Sequence, residues 1–200
     1  MSNQFKPSTV STPMLGDFKD IEAGAYPARV SGIYRVGTQP NDFPGAAKAT
    51  KLEVIFQFEL VTESININGE ELPKVKSKTF TDSLHEKGKL APALAMLGLN
   101  SGEVDLTQAL GRACIVNMVD YTKPDGTTAV KFASISQPMK GFEVPEGKLP
   151  LTFFDFNSNY SQEIVDSLKA QSKDGKMQWI YEKIQQAPEF IVCNEEVPFV

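Results

Sequence analysis

Residues Lys51 to Val61 alternate without a break: Leu52, Val54, Phe56, Phe58 and Leu60 interleave with Lys51, Glu53, Ile55, Gln57 and Glu59. Successive side chains of an extended chain point to opposite faces, so this period of two predicts a β-strand with one buried face. Phe56 and Phe58 share the inward parity and are read as core. A half-buried strand needs partners, and its flanks supply them. Tyr26 to Val36 also alternates, with Ala28, Val30, Gly32, Tyr34 and Val36 on one face and Arg29, Ser31, Ile33 and Arg35 on the other. A glycine inside a strand often marks a bulge. If Gly32 does so, the parity flips beyond it, turning Ile33 inward and Tyr34 outward. Gly37 to Thr50, with Pro40, Asn41, Pro44 and Gly45, reads as a long loop. A turn at Asn66-Ile67-Asn68-Gly69 leads to a third strand, Val75 to Thr81, antiparallel to the second.

The period then changes. Asp82 or Ser83 is placed to cap a helix from Leu84 through Leu97, with Gly98 as its C-cap and Pro92 as a kink. A shorter helix, Val104 to Leu110, ends at Gly111. Two further strands follow, Ala113 to Tyr121 and Thr128 to Ile135, joined by a turn at Lys123-Pro124-Asp125-Gly126. Three strands, a helix and two strands is the element order of the OB-fold, a five-stranded Greek-key barrel. The expected fold is therefore mainly β: an OB barrel over residues 24–138 with its helix between strands 3 and 4. It is preceded by an N-terminal arm, 1–23, and followed by an extended and helical extension, 139–190, and an acidic tail, 191–200. In that extension, Phe142 to Pro150 reads as a linker and Leu151 to Phe156 as an aromatic segment along the barrel wall. Ser161 to Lys169 and Met177 to Gln186 have helical spacing.

Composition narrows the chemistry. One His, His85, and two Cys, Cys114 and Cys193, with no Cys-x-x-Cys pair, do not supply the four Cys or His ligands of a structural zinc. His85 lies in a polar stretch and reads as a surface residue, and Cys114 lies in the apolar run Ala113-Cys114-Ile115-Val116 and reads as a small core residue. No phosphate loop, dinucleotide fingerprint, His-Glu-x-x-His or Gly-x-Ser-x-Gly is present, and neither an enzyme activity nor a cofactor is expected. Met1 to Pro13 is polar and lacks the apolar segment of a secretion signal, and no apolar run approaches the ~20 residues that span a bilayer. A cytoplasmic protein is expected, in the host cytoplasm if phage-encoded, with no membrane partner.

The net charge of −5 argues against electrostatic capture of nucleic acid by the whole molecule. Its distribution changes that conclusion. Residues 1–140 carry 15 basic and 15 acidic side chains, whereas residues 141–200 carry 5 and 10. Barrels that hold single strands need cations for phosphates and aromatic faces for unpaired bases. The first three strands and their loops offer both: Arg29, Arg35, Lys48, Lys51, Lys76 and Lys78 for phosphates, and Tyr34, Phe43 and Phe80 for bases. Each has a duller reading. Phe80 serves equally as core, Tyr34 depends on the bulge, and alternating lysines also protect an edge strand.

Several stretches resemble a family of tailed-phage single-stranded DNA-binding proteins. They are Tyr26 to Gln39, Thr81 to Leu90, Leu110-Gly111-Arg112-Ala113-Cys114 and Phe153-Phe154-Asp155. The resemblance spans roughly residues 24–190. It implies an OB-fold that coats single-stranded DNA without sequence preference in replication or recombination, with no catalysis and no metal. Glu195, Glu196, Val197, Pro198 and Phe199 resemble the acidic, Pro-Phe-ending tail with which bacterial single-strand binding proteins dock replication or recombination partners. Here Val200 follows Phe199, so the terminal carboxylate is displaced. The alternative reading is an OB-type adaptor between proteins of a replication or virion complex.

Overall fold

The computed structural model describes residues 21–42, 46, 48–67, 69–85, 88–99, 104–157, 160–173 and 177–190. It is mainly β, as the alternation predicts, with six strands in one sheet. These are β1 (Gly24–Pro40), β2 (Thr50–Ile67), β3 (Glu70–Thr81), β4 (Ala113–Thr122), β5 (Thr128–Ser136) and β6 (Thr152–Asp155). The helices are α1 (Leu90–Met96), α2 (Gln162–Lys173) and α3 (Gln178–Gln186), with a 3₁₀ turn at Leu106–Ala109. The sheet order is β3-β2-β1-β4-β5, all antiparallel, and β6 joins β1 in parallel. The sheet does not close, since no ladder joins β3 to β5 among the described residues.

β1 is longer than its sequence pattern because it continues through Gly37–Pro40, pairing with Thr50–Glu53 where a loop is expected. It serves two neighbours on its second side. Gly24–Arg29 pair with β4, and Gly32–Arg35 pair with β6. Between these stretches the register against β2 shifts, with Val30 opposite Phe58 and Gly32 opposite Gln57. Ser31 is the extra residue of a bulge, and the parity flips there. Ile33 therefore joins Val30 in the inner core, while Tyr34 turns to the other face. A side chain on Gly32 would meet the Tyr34 ring at 2.7 Å, so this glycine is the floor on which that ring lies.

Two apolar cores result, one on each face. The inner one gathers Ala28, Val30, Ile33, Val54, Phe56, Phe58, Leu60, Phe80, Cys114 and Val116 under α1 residues Leu90 and Leu94. The outer one gathers Tyr34, Val36 and Ile55 with Phe154, Phe156, Val165, Leu168, Ile180 and Ile184. The middle of β2 is consequently buried on both faces, and the polar side of its alternation, Glu53, Gln57 and Glu59, lies beneath the C-terminal elements rather than in water.

The helix between β3 and β4 is shorter than the sequence pattern, beginning at Leu90 instead of Leu84. Pro92 explains the difference. From Leu90, the proline falls in the first turn, where its missing N–H has no helical acceptor to lose, whereas a helix from Leu84 would put it inside. The second predicted helix contracts to the 3₁₀ turn, whose start is fixed by Asp105 accepting the N–H of Thr107.

Candidate nucleic-acid interface

The lysines of β3 lie on one side of the strand. Lys74, Lys76, Lys78 and Phe80 pair with Leu60, Phe58, Phe56 and Val54, all inner-core residues, so the lysines project along the rim of the inner face. Burial and the neighbouring Lys74 pull Lys76 down to about 8. Burial, then Lys89 and Lys131, lower Lys78. β3 and β5 are the two ends of the sheet, and here they face each other across an open seam. Side chains bridge it. Lys78 Nζ lies 5.6 Å from the centre of the Phe132 ring, and Phe132 rests against Phe58 at 5.4 Å between ring centres. On the other face of the β4–β5 hairpin, Lys131 Nζ lies 5.1 Å from the ring centre of the exposed Tyr121. Lys78 of β3 thus sits at the Phe132 ring on the seam, while Lys131 and Tyr121 pair on the outward face of the hairpin.

Several residues expected to bind DNA are otherwise engaged. Tyr34 is buried in the outer core, its phenol pushed up to about 12 by that burial, and offers no ring to a base. Phe80 is core, set edge-on against Phe56 at 5.6 Å. Arg35 is held by Asp82 at 2.7 Å and Asp155 at 3.0 Å, joining the end of β3 to β6. Burial opposes its charge, but those two carboxylates outweigh it and raise the guanidinium above its usual value. Lys51 pairs with Glu53 at 3.0 Å, and Glu53 also takes Lys183 of α3 at 2.7 Å.

Arg29 is a strap anchor. It donates to the carbonyls of Pro145 (2.6 Å), Gly111 (2.8 Å) and Val144 (2.8 Å), and meets Glu146 at 3.2 Å. Glu59, its cross-strand neighbour, accepts the N–H groups of Lys148 (2.6 Å) and Leu149 (3.0 Å). The pair clamps the extended segment between β5 and β6 by its main chain. The C-terminal elements also cover the outer face of β2, burying Glu53, Gln57 and Glu59.

Lys76 and Lys78 of the expected set remain at the seam, and Lys48 is exposed on the loop before β2. Phe43 and the tail residues Glu195, Glu196, Val197, Pro198 and Phe199 lie outside the described residues. The seam adds Lys74, Lys89 and Phe132, and the outward face of the hairpin beside it adds Lys131 and Tyr121. Lys74 shares the parity of Lys76 and Lys78 and lies one residue before the strand that the sequence pattern predicts. Phe132 lies on a predicted strand, but its approach to β3 is set by the curl of the sheet, which no local pattern records. His85 is exposed and Cys114 fully buried, with burial raising its thiol to about 12. Among the described residues there is no cluster of His, Cys, Asp or Glu able to hold a metal, and no helix long and apolar enough to cross a membrane. The chain matches no protein-family model, no curated protein and no solved structure.

Proposed function

We propose that this protein binds single-stranded DNA without sequence preference, coating it in phage replication or recombination, and that the open seam between β3 and β5 is where the strand lies. The observation that carries the reading is the row Lys74, Lys76 and Lys78 on one face of the end strand β3, with Lys78 Nζ 5.6 Å from the centre of the Phe132 ring across the seam; burial, then Lys89 and Lys131, lower the charge of Lys78. Like charges gathered at partial burial are unfavourable in the free protein, and an anionic chain relieves that cost. Tyr121, exposed with Lys131 on the outward face of the β4–β5 hairpin, offers a further ring beyond the seam for an unpaired base, whose stacking is sequence-tolerant. The sheet order, with α1 between β3 and β4, agrees with an OB-type barrel left open between its end strands.

Titrating a fluorescent oligothymidine at low and at moderate salt tests the reading. Affinity should fall steeply as salt rises, because bound phosphates release counterions. Lys89→Gln with Lys131→Gln, both at exposed positions, should weaken binding and reduce the slope of log affinity against log salt by about one per lost contact. Absence of binding at low salt overturns the proposal. An unchanged slope in the double variant removes the seam from it.

A further inference from the structure

Phe132 is the aromatic residue most central to the seam, and in the free protein Lys78 Nζ lies over it, 5.6 Å from the ring centre. Resting on that reading of the seam as a single-strand site, we propose that Phe132 is a covered base-stacking platform, uncovered when the Lys78 ammonium leaves the ring for a phosphate. The ring is only partly buried and is supported by Phe58 at 5.4 Å, so it is fixed by the inner core while one side reaches the seam. An ammonium over a ring at partial exposure is held weakly, and a phosphate is the stronger partner for it. The same event that neutralises a phosphate therefore frees a flat apolar surface beside it. Among the described residues β3 and β5 share no hydrogen-bonded ladder, so the seam beside the lysine is open to an incoming strand. The partial burial that lowers the charge of Lys78 favours the same move.

The test separates stacking from charge. Binding of an oligothymidine and of an abasic oligonucleotide of equal length, which has the phosphates without the bases, is measured by anisotropy for the native protein and for Phe132→Leu. The native protein should prefer the thymidine strand, and Phe132→Leu should reduce that preference about ten-fold while leaving the salt slope unchanged. In a Trp179→Phe background, Phe132→Trp retains an aromatic ring, and its indole emission should be quenched by the thymidine strand and not by the abasic one. Equal preference in native and Phe132→Leu proteins, or an indole emission from the Phe132→Trp variant that stays unmoved while anisotropy reports binding, overturns this inference and leaves the single-strand reading intact. No binding of either strand at low salt overturns both.

Discussion

At Lys76, charge and burial oppose each other, and the sign of the resulting pH dependence follows directly. The unfolded chain holds this proton up to about the ordinary value of 10.5, the folded protein only up to about 8, so the unfolded state binds the extra proton between those limits. Stability should therefore rise with pH from about 8 to 10.5, and urea midpoints across that range should lose the rise in Lys76→Met. DNA affinity should move the other way, falling as pH passes about 8 and the ammonium is lost. Tyr34 acts at higher pH. Its phenol is raised from 10.0 to about 12, so its contribution is complete below about 10 and is lost as pH climbs towards 12, a loss absent in Tyr34→Phe. The energies also favour a ligand at the seam: a lysine over an exposed ring is worth about 0.5–1 kcal/mol, a stacked base about 1–3 kcal/mol. The fates of Tyr34 and Phe80 show how far sequence reaches at this scale. A bulge at Gly32, weighed from the sequence, turns Tyr34 away from the face of Val30, but only the packed C-terminal helices reveal that the face it enters is a second core.

The strands are joined by their ladders, but the segments outside them are fastened to the sheet by single charged residues. Arg29 and Glu59 fix the segment from Val144 to Leu149 through carbonyls and amides, so its sequence matters less than its extended shape. Glu59→Gln replaces one acceptor oxygen by a donor facing an N–H. It should cost about 1–3 kcal/mol in urea unfolding and speed amide exchange at Lys148 and Leu149, and unaltered protection there would contradict the clamp. Arg35→Ala should cost about 2 kcal/mol by leaving the carboxylate of Asp155 buried without its cation. Strands β1 to β5, the presence of a helix between β3 and β4 and the two C-terminal helices are legible from periodicity, whereas β6, read as an aromatic segment along a barrel wall, is a strand only because it pairs with β1. The clamp is not legible, because Arg29 and Glu59 each read as a solvent-facing charge on an alternating strand, and nothing local says that a segment more than 80 residues away lies across them.

The molecule as a whole is built on shared strands. Ile33 and Tyr34, Val54 and Ile55, are consecutive pairs whose members enter different cores, so neither core can be dismantled without releasing β1 and β2 from the other. Unfolding should accordingly be one transition. Trp179, the sole tryptophan, lies on α3 above the outer core, and its fluorescence should follow the same midpoint as the far-ultraviolet signal of the sheet. Separate midpoints would mean that the C-terminal helices melt on their own. The same economy makes the extra residue at Ser31 a fixed point for the lineage. From it to the second register shift, between Arg35 and Gly37, each side chain of β1 is assigned to an inside or an outside by counting from that position. Exchanging one apolar residue for another along Ile33 to Arg35 alters a volume, but deleting or inserting one swaps the destinations of those that follow up to that second shift. This stretch can accept changes of letter and not changes of length, so indels among descendants of this chain should gather in the connections and spare the strand.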